Sequence, residues 1–450
     1  MTGGRPADSL VRALWHDTAA PLPPSAALQG EARAEVAVIG AGILGLSTAL
    51  ALAQSGVRVT VLEAATVGAG ASGRNGGLVV PSLPRIGPSD VFAALGQERG
   101  GRLLALLAGG ADALFALIRA HGIACDAVPS GWLNPAHAAV LAPRVEARVA
   151  AWQAAGARCV WIDAAESRAR LGSERYHGAL FDPSGGHLDP LAYTRGLARA
   201  AVGAGVVLHE ASPVLRAERQ GGVWRLHTDR GVLVADTVLQ ATNTSPPGLP
   251  EQPGAALAVA SVPLLVYQLA TPVLPATARA AVLPGNEAFS DTRNNLLAGR
   301  WTASGRFVTG GMAALHAGAM TRLPARLARR LKAVFPALGP VHFEKVWRGR
   351  AALTGDFLPR LIRPAPGWLA VTACNGRGLV MNTVLGPELA AFLRTGGEDA
   401  LPLPVTPPRP IRARPLARLL PQLLLPLGDL QDRRMEAEAR SLLARGPARG

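Results

Sequence analysis

Cysteine and lysine are scarce in this chain of 450 residues. Cys125, Cys159 and Cys374 share no C-x-x-C spacing, so the sequence suggests neither a disulfide framework nor a zinc or other metal site. Such low cysteine content fits a reducing compartment, and we expect a cytoplasmic protein. Lys332 and Lys345 are the only lysines, and arginines scattered singly supply the rest of the basic charge behind the net charge of +15. Because no basic block carries interleaved aromatic residues, we do not expect nucleic-acid binding.

Long hydrophobic runs are also missing. Residues 1–34 contain acidic residues and several prolines and lack the apolar core of a secretory signal. We expect no transmembrane segment, because the leucine-rich stretch Leu416–Leu430 is interrupted by Pro421 and Pro426. This stretch is interpreted as a packed or frayed C-terminal cap, and a membrane-contacting helix is the less favoured alternative.

Residues 35–63 have the order of a strand, a glycine-rich turn, a helix and a second strand. The apolar run Val36–Ile39 is followed by Gly40, Gly42 and Gly45 at the spacing G-x-G-x-x-G. In this fingerprint the first glycine allows a tight turn, the second lets a pyrophosphate approach the backbone, and the third lets the helix pack closely on the sheet. The N-terminus of the helix then presents N–H groups and a positive dipole end to the phosphates.

An acidic residue completes this unit. The strand predicted for Val57–Leu62 ends at Glu63, whose carboxylate accepts hydrogen bonds from ribose hydroxyls and repels a 2′-phosphate. The acid therefore favours the adenosine of FAD or NAD over that of NADP. The helix ends at Gly56. A glycine turn without a nucleotide is the alternative, but strand, turn, helix, strand and acid agree in order. The predicted nucleotide-binding residues are Gly40, Gly42, Ile43, Leu44, Gly45, Glu63 and Ala64.

A glycine-dense loop, Gly68–Gly77, follows this unit directly. Arg74 and Asn75 supply directional donors, which a flexible surface loop does not need. The run GASGRNGG in this loop and the upstream segment Leu14–Ala19 resemble the D-amino-acid oxidase superfamily of FAD-dependent amine oxidoreductases, and within it the gamma-glutamylputrescine oxidase branch. The resemblance implies that the loop lies along the ribityl chain and the flavin ring. By this resemblance, the residues beside FAD are Ser72, Arg74, Asn75, Gly76 and Gly77.

Two later signatures occur in the order that the family shows. The run Val238–Asn243 resembles the second fingerprint of the family, and Val214 follows the strand that brackets the adenine in the family. The last signature extends from Val346–Arg350 to the loop Asn375–Gly378, before a helix predicted for Leu379–Leu393. In the family this loop and helix lie at N1 and O2 of the flavin, where the helix dipole stabilises the anionic reduced form. These signatures add the following cofactor-binding residues: Val214, Ala241, Thr242, Asn243, Asn375, Gly376, Arg377, Gly378 and Leu379.

The segments between the signatures predict both helices and strands. Residues 90–121 and Val140–Ala155 have helical periodicity and are assigned as a cap over the flavin. A helix over Leu191–Val202 begins with Asp189 as its N-cap. His187 is interpreted as a turn residue rather than a catalytic base, because the sequence places no partner acid beside it. Further strands are predicted at Val206–His209, Val214–Arg219, Val223–Thr228, Val232–Leu239, Ala258–Leu269, Asn295–Arg300 and Arg306–Thr309.

The length of the chain predicts two lobes. The expected fold class is α/β, with a Rossmann-like FAD-binding lobe and a second lobe whose antiparallel sheet carries the substrate, as the resemblance implies. The predicted domains are an N-terminal extension at 1–34, a discontinuous FAD-binding domain at 35–85, 145–250 and 346–400, a substrate or cap domain at 86–144 and 251–345, and a C-terminal tail at 401–450.

The resemblance implies oxidation of the C–N bond of an amine or amino acid, with hydride transfer to flavin N5. Oxygen is the expected electron acceptor, and the alternatives are another acceptor or a flavin-binding protein without turnover. Arg300 and Arg348 are candidates for orienting a substrate carboxylate, although surface ion pairs are equally compatible with either. Arg300, Trp301 and Arg306 lie near the pocket by analogy. Arg306 is a candidate substitute for the lysine that several relatives place over the flavin for reaction with oxygen.

The flavin is expected to be bound without a covalent link. Sarcosine-oxidase relatives tether the flavin through a cysteine at a position that corresponds to about Gly349 in this chain. Other relatives use a histidine in the first flavin loop, and residues 67–81 contain none.

Overall fold

The structure is a computed structural model, and it describes residues 12–244, 255–372, 374–411, 414–417 and 419–444. Parts of the predictions lie outside the described residues: the first 11 residues of the N-terminal extension, residues 245–254 at a domain boundary, residue 373 of the FAD-binding domain, and residues 412, 413, 418 and 445–450 of the C-terminal tail.

Helices and strands alternate along the chain. The helices are α1 (Trp15–Thr18), α2 (Ile43–Gln54), α3 (Pro88–Ala108), α4 (Gly110–Ala120), α5 (Ala142–Ala154), α6 (Ala164–Leu171), α7 (Pro190–Gly203), α8 (Ala256–Ala260), α9 (Ala276–Ala281), α10 (Ala319–Val334), α11 (Gly378–Thr395), α12 (Arg414–Ala417) and α13 (Leu420–Ala444). The strands are β1 (Gly30–Ile39), β2 (Val59–Leu62), β3 (Leu78–Val79), β4 (Trp132–Pro135), β5 (Val160–Ile162), β6 (Ala179–Asp182), β7 (Gly186–His187), β8 (Val207–His209), β9 (Arg216–Gln220), β10 (Val223–His227), β11 (Gly231–Gln240), β12 (Val262–Val273), β13 (Ala288–Ser290), β14 (Ala298–Trp301), β15 (Arg306–Gly311), β16 (Lys345–Leu353), β17 (Arg360–Ala365), β18 (Trp368–Thr372) and β19 (Val405–Thr406).

The first sheet has nine strands and is built around β1. Its main path has the order β19-β17-β18-β11-β1-β2-β8, and β9 and β10 extend antiparallel from β11. β1 pairs in parallel with both β11 and β2, so the strand order reverses beside it. At such a switch point an open α/β sheet leaves a crevice outside the carboxyl ends of its strands. The predicted strand, turn, helix and strand at the start of the chain are confirmed, as is the meander that ends in β11.

The second sheet has eight strands in the order β16-β12-β15-β14-β13-β4-β6-β5. Its pairs are antiparallel except for β13 and β4, which are parallel. The predicted fold class is confirmed. The predicted strand at Ala258–Leu269 is wrong at its start, where the alanine-rich segment forms α8, because alanine favours helix over strand. β12 begins only at Val262.

The two sheets divide the chain differently from the predicted domain boundaries. β5 and β6 fall in a segment assigned to the FAD-binding domain, yet they pair with β4 in the second sheet. β16 also belongs to the second sheet, through its pairing with β12. Strands of three or four residues contain too little alternation of polar and apolar side chains to indicate the sheet to which they belong. The sequence therefore does not assign β5 and β6 to the second sheet. The division into two domains itself stays a prediction.

The helical layer beside the first sheet is tightly packed. A Cβ on Gly386 of α11 would lie 2.5 Å from the side chain of Ser47 on α2, and a Cβ on Gly110 of α4 would lie 2.5 Å from Val380 of α11. α3 and α4 therefore pack in the main hydrophobic core with α2 and α11. The assignment of residues 90–121 and Val140–Ala155 as a cap over the flavin stays a prediction. The helix predicted over Leu191–Val202 is confirmed as α7, and Asp189 caps it by accepting the N–H groups of Leu191 and Ala192 at 3.0 Å each.

The C-terminal tail forms a long helix, although its prolines predicted a broken run. α13 continues through Pro426 to Ala444. A proline inside a helix removes one backbone hydrogen bond, a cost that a helix lying at the surface with other contacts can tolerate. In the described part of the chain no single helix has the length and hydropathy to cross a membrane, whereas the pair α3 and α4, bent by 49°, would satisfy that criterion by length and composition alone.

Candidate flavin and substrate site

A cavity of about 2370 Å³ extends from the carboxyl end of β1 to the face of the second sheet. Both ends of the chain contribute to it, since the glycine turn after β1, the loop before α11 and the first turns of α13 all line it. All but two of the predicted cofactor-binding residues line this cavity: Gly40, Gly42, Ile43, Leu44, Glu63, Ala64, Ser72, Arg74, Asn75, Gly76, Val214, Ala241, Thr242, Asn243, Asn375, Gly376, Arg377, Gly378 and Leu379.

The two exceptions, Gly45 and Gly77, lie directly behind the cavity wall. A Cβ on Gly45 would lie 2.1 Å from the carbonyl oxygen of Gly40, which matches the close packing expected of the third glycine. Gly77 has φ +77° and a Cβ there would lie 2.1 Å from the carbonyl oxygen of Leu188. Any side chain at either position would displace backbone, so both glycines set the shape of the wall rather than touching a ligand.

Glu63 ties the two sides of the glycine turn together. Its Oε2 accepts the N–H of Ala41 and its Oε1 accepts the N–H of Ala65, each at 2.9 Å. Burial raises the pKa of Glu63, because the protein surroundings disfavour the charged form. Each carboxylate oxygen keeps a further lone pair that can accept a ribose hydroxyl.

The glycine-dense loop closes onto the N-terminus of α2. The hydroxyl of Ser72 accepts the N–H of Ile43 at 3.0 Å, and a Cβ on Gly42 would lie 2.9 Å from that hydroxyl. A side chain at position 42 would therefore separate the N-terminus of α2 from the glycine-dense loop. A cradle without side chains, a helix N-terminus and an acid at the ribose position are the features that an FAD pyrophosphate and adenosine require, so the residues present fit this cofactor.

Three side chains hold successive carbonyl groups of this loop, and we call this arrangement the carbonyl clamp. Trp347 donates from Nε1 to the carbonyl of Arg74 at 2.8 Å, and Trp15 donates from Nε1 to the carbonyl of Asn75 at 2.9 Å. Arg300 donates from Nε to the carbonyl of Gly76 at 2.7 Å. The two indole rings meet edge to face with centroids 5.7 Å apart. The loop backbone is thereby fixed from outside the cavity.

The position of Arg300 corrects the prediction that it orients the substrate. Its guanidinium also donates to the carbonyls of Leu188 at 2.7 Å and Trp301 at 3.0 Å, and it lies 4.8 Å from the ring of Trp15. Arg300 is not among the cavity-lining residues. Burial lowers its pKa to about 10, and carbonyl groups rather than carboxylates are its hydrogen-bond partners.

His187 lies beside Arg300 and also outside the cavity. Its Nε2 is 3.0 Å from the carbonyl oxygen of Asn286, so Nε2 carries the proton that is donated there. Burial, together with the positive charge of Arg300, lowers the pKa of His187 to about 3. A neutral, buried imidazole in β7 agrees with a structural role and not with that of a catalytic base.

Arg306 and Arg348 are not placed at the cavity either. Arg306 begins β15, where it forms an ion pair with Glu344 and donates to the carbonyl of Thr271 at 2.9 Å. Arg348 lies opposite Tyr267 in the pairing of β16 with β12, and the neighbouring Gly349 lines the cavity instead. The part of β16 that lines the cavity therefore begins one residue after Arg348.

A pair of arginines that sequence reasoning did not combine lies where the cavity meets the second sheet. Arg148 of α5 donates to Oδ1 of Asn134 at 3.2 Å and to the carbonyl of Leu83 at 3.3 Å. Arg377 also donates to the carbonyl of Leu83, at 3.1 Å, and its guanidinium lies 5.1 Å from the ring of Trp132. Nothing in the sequence distinguished Arg148 from the other arginines of an amphipathic helix.

No carboxylate of the described residues neutralises this arginine pair. Neither Arg148 nor Arg377 forms an ion pair within the described chain, and both line the cavity. Burial, together with the positive charges of Arg148 and Arg85, lowers the pKa of Arg377 to about 9. Two half-buried guanidinium groups with neutral partners create a positive potential at this end of the cavity, which favours an anion there.

We expect Glu63→Ala to weaken FAD retention by roughly tenfold to a hundredfold, because a hydrogen bond to a charged group contributes about 1.5–3 kcal/mol. Titration of the apoprotein with FAD, followed by the quenching of flavin fluorescence, measures this change. Glu63→Gln keeps an acceptor oxygen and is expected to lie between the wild type and Glu63→Ala. Wild-type affinity in Glu63→Ala would show that the carboxylate does not hold the ribose.

Acid precipitation is expected to leave the flavin in the supernatant. Gly349, at the position of the tether in sarcosine-oxidase relatives, lines the cavity without a side chain. Cys374 also lines the cavity, but burial raises the pKa of its thiol and so disfavours the nucleophilic thiolate. Absorbance of the pellet and the supernatant gives the result. Yellow colour that stays in the wild-type pellet but leaves the pellet of Cys374→Ala would mean that this cysteine is the tether.

Comparison with known proteins agrees with this site. A family model described as FAD dependent oxidoreductase, DAO, matches residues 35–392. The chain is 30% identical over 392 residues to the probable oxidoreductase OrdL of Rhizobium meliloti (strain 1021), a match that covers 86% of this chain and 90% of that protein. It is 30% identical over 366 residues to the gamma-glutamylputrescine oxidoreductase of Escherichia coli (strain K12), with coverage of 81% and 84%.

The fold has a counterpart among solved structures. Glycine oxidase from Geobacillus kaustophilus superposes with a TM-score of 0.66 over 80% of this chain and 94% of that chain, at 21% identity. The predicted superfamily, its gamma-glutamylputrescine branch and FAD as the cofactor are confirmed. The chain belongs to the DAO family of FAD-dependent oxidoreductases.

Proposed function

We propose that this protein oxidises the C–N bond of an amine that carries a carboxylate, and that dioxygen reoxidises the flavin. The observation that carries the substrate class is the half-buried Arg148 and Arg377 pair, which lines the cavity without a carboxylate partner in the described chain. Amines and amino acids are also named in relatives, among them a gamma-glutamylputrescine oxidoreductase, a glycine oxidase and a D-amino acid dehydrogenase.

In this proposal the chain contributes binding and orientation. FAD, when bound, supplies the acceptor for the hydride that leaves the substrate carbon. The nitrogen lone pair then forms the C=N bond, and water hydrolyses the product. Arg148 and Arg377 hold the substrate carboxylate at the second sheet, so that the amine end points back toward the glycine-dense loop.

The carbonyl clamp and α11 keep the other half of the site in place. Because Trp15, Trp347 and Arg300 fix the loop backbone from behind, the loop side that lines the cavity has little freedom to shift when a substrate enters. α11 begins at Gly378, and its N-terminal dipole points at the lining loop Asn375–Gly378. A positive dipole end there stabilises negative charge that develops nearby.

The cations that line the cavity are also the basis for proposing dioxygen as the acceptor. Reduction of dioxygen develops negative charge, which a positive potential stabilises. Arg306 does not supply this positive potential, because it is paired with Glu344. Lys345 does not supply it either, because it is paired with Asp17 at 2.8 Å. The Arg148 and Arg377 pair does line the cavity. A dehydrogenase that uses another acceptor is the second candidate, because no lysine is among the cavity-lining residues.

Arg148→Met and Arg377→Met are expected to raise KM for a carboxylate-bearing amine by roughly tenfold to a hundredfold, because a hydrogen bond to a charged group contributes about 1.5–3 kcal/mol. KM for the matching amine without the carboxylate should change little. Anaerobic flavin bleaching with both members of such a pair measures the difference. Arg144→Met, on the same helix and also at the cavity, removes a charge outside the pair and serves as the control. Equal losses for both amines would contradict a carboxylate site.

Reoxidation of the reduced enzyme in air is expected to be fast and to release hydrogen peroxide. Arg148→Met should slow this step, whereas Arg306→Met should not, because Arg306 lies outside the cavity and is neutralised by Glu344. Stopped-flow recovery of the flavin absorption and a peroxide assay give both results. Flavin that bleaches with amines but yields no peroxide would identify a dehydrogenase.

A further inference from the structure

The C-terminal helix α13 lies outside the family match, which ends at residue 392, yet it borders the cavity. One face of α13 is fixed to the rest of the protein by carboxylates. Asp432 accepts both the backbone N–H of Asn294, at 3.0 Å, and its side-chain amide, at 2.9 Å. Glu436 accepts from Arg293 at 2.7 Å.

Two further contacts define the same buried face. Asp429 forms an ion pair with Arg326 of α10 at 2.7 Å. A Cβ on Gly428 would lie 2.5 Å from Asn294, so the helix backbone approaches the protein as closely as glycine permits. The rotation of α13 about its axis is therefore set, and the opposite face must point outward.

The outward face of α13 carries exposed leucines, and together with Leu416 of α12 and Leu419 between the two helices we call them the leucine ridge. Its members are 47–66% exposed, and each of them has another member three or four residues away, as residues on one helix face do. Half of the exposed large hydrophobic residues in the described chain lie between positions 416 and 430, so this face is not ordinary surface. The leucine ridge consists of Leu416, Leu419, Leu420, Leu423, Leu424, Leu427 and Leu430.

The sequence around the leucine ridge has a net positive charge. Between residues 409 and 434 the sequence has six arginines and two acidic residues, and both acids are the ones that bind α13 to the protein. Arg433 and Arg434 follow the ridge directly and are exposed. An apolar helix face followed by exposed arginines is the pattern that binds anionic bilayers, with the apolar side chains at the acyl boundary and the cations at the headgroups.

We propose that the leucine ridge docks the protein onto an anionic membrane surface. A second copy of the chain is a poorer partner, because pairing two ridges would bring arginine flanks of the same sign together. Three members of the ridge also line the cavity: Leu420, Leu424 and Leu427. The ridge therefore forms part of the cavity rim. Docking would therefore bring the cavity opening close to the lipid. This proposal does not rest on the proposed amine oxidation.

The test is flotation of the FAD-loaded full chain with vesicles of phosphatidylcholine alone and of phosphatidylcholine with phosphatidylglycerol. We expect binding to the anionic vesicles only, weakened by salt. Combined Leu419→Gln, Leu423→Gln and Leu430→Gln, none of which lines the cavity, should weaken binding by at least about tenfold. The matched control is Leu215→Gln with Leu315→Gln, at two exposed leucines outside the ridge.

A second variant keeps the test independent of leucine replacement. Arg433→Gln with Arg434→Gln leaves the ridge intact and should weaken binding by about tenfold or more at low salt. Retained FAD shows that each variant is folded. The proposal is overturned if the wild type does not float with anionic vesicles or if both variants bind as the wild type does. It is also overturned if the leucine variant only converts an oligomer into a monomer, which would identify a second copy as the partner.

Discussion

The site depends on one set of hydrogen bonds, in which the carbonyls of Arg74, Asn75 and Gly76 are bound by Trp347, Trp15 and Arg300. The three donors come from β16, α1 and β14, so a single loop turn joins the N-terminal segment to the second sheet. Each donor is buried, and a buried donor left without an acceptor costs about 1–3 kcal/mol. The loop can leave this position only if all three donors lose their partners together.

The same residue type serves two different purposes in this molecule. Arg300 donates to three carbonyl groups and cannot turn toward a ligand without breaking several hydrogen bonds. Arg148 and Arg377 share the carbonyl of Leu83 and line the cavity. Burial lowers the pKa of Arg300 and of Arg377 alike. Arg300 differs from the Arg148 and Arg377 pair in its position, because the pair lines a cavity that an anion can enter and Arg300 does not.

This difference explains how much the sequence could predict. The unit from Val36 to Glu63 was predictable because its strand, turn and helix are consecutive, so local spacing determines which residues meet. Arg300 was misplaced because its partners lie more than 100 residues away along the chain, and no local pattern reports them. Arg148 was missed for the same reason, since a helix with polar and apolar positions does not show whether a polar residue faces solvent or a cavity.

The C-terminal helix shows a further limit of sequence patterns. Pro421 and Pro426 suggested a broken run, because propensity alone disfavours proline inside a helix. Tertiary contacts decided otherwise: Asp432 and Glu436 hold one face of α13 on Asn294 and Arg293, and the leucines are left on the other. The cavity thus has a cationic inner end and an apolar rim. A ligand with a carboxylate at the cationic end and an apolar part at the rim would match both ends at once, whereas a charged group placed at the rim would lie against leucine.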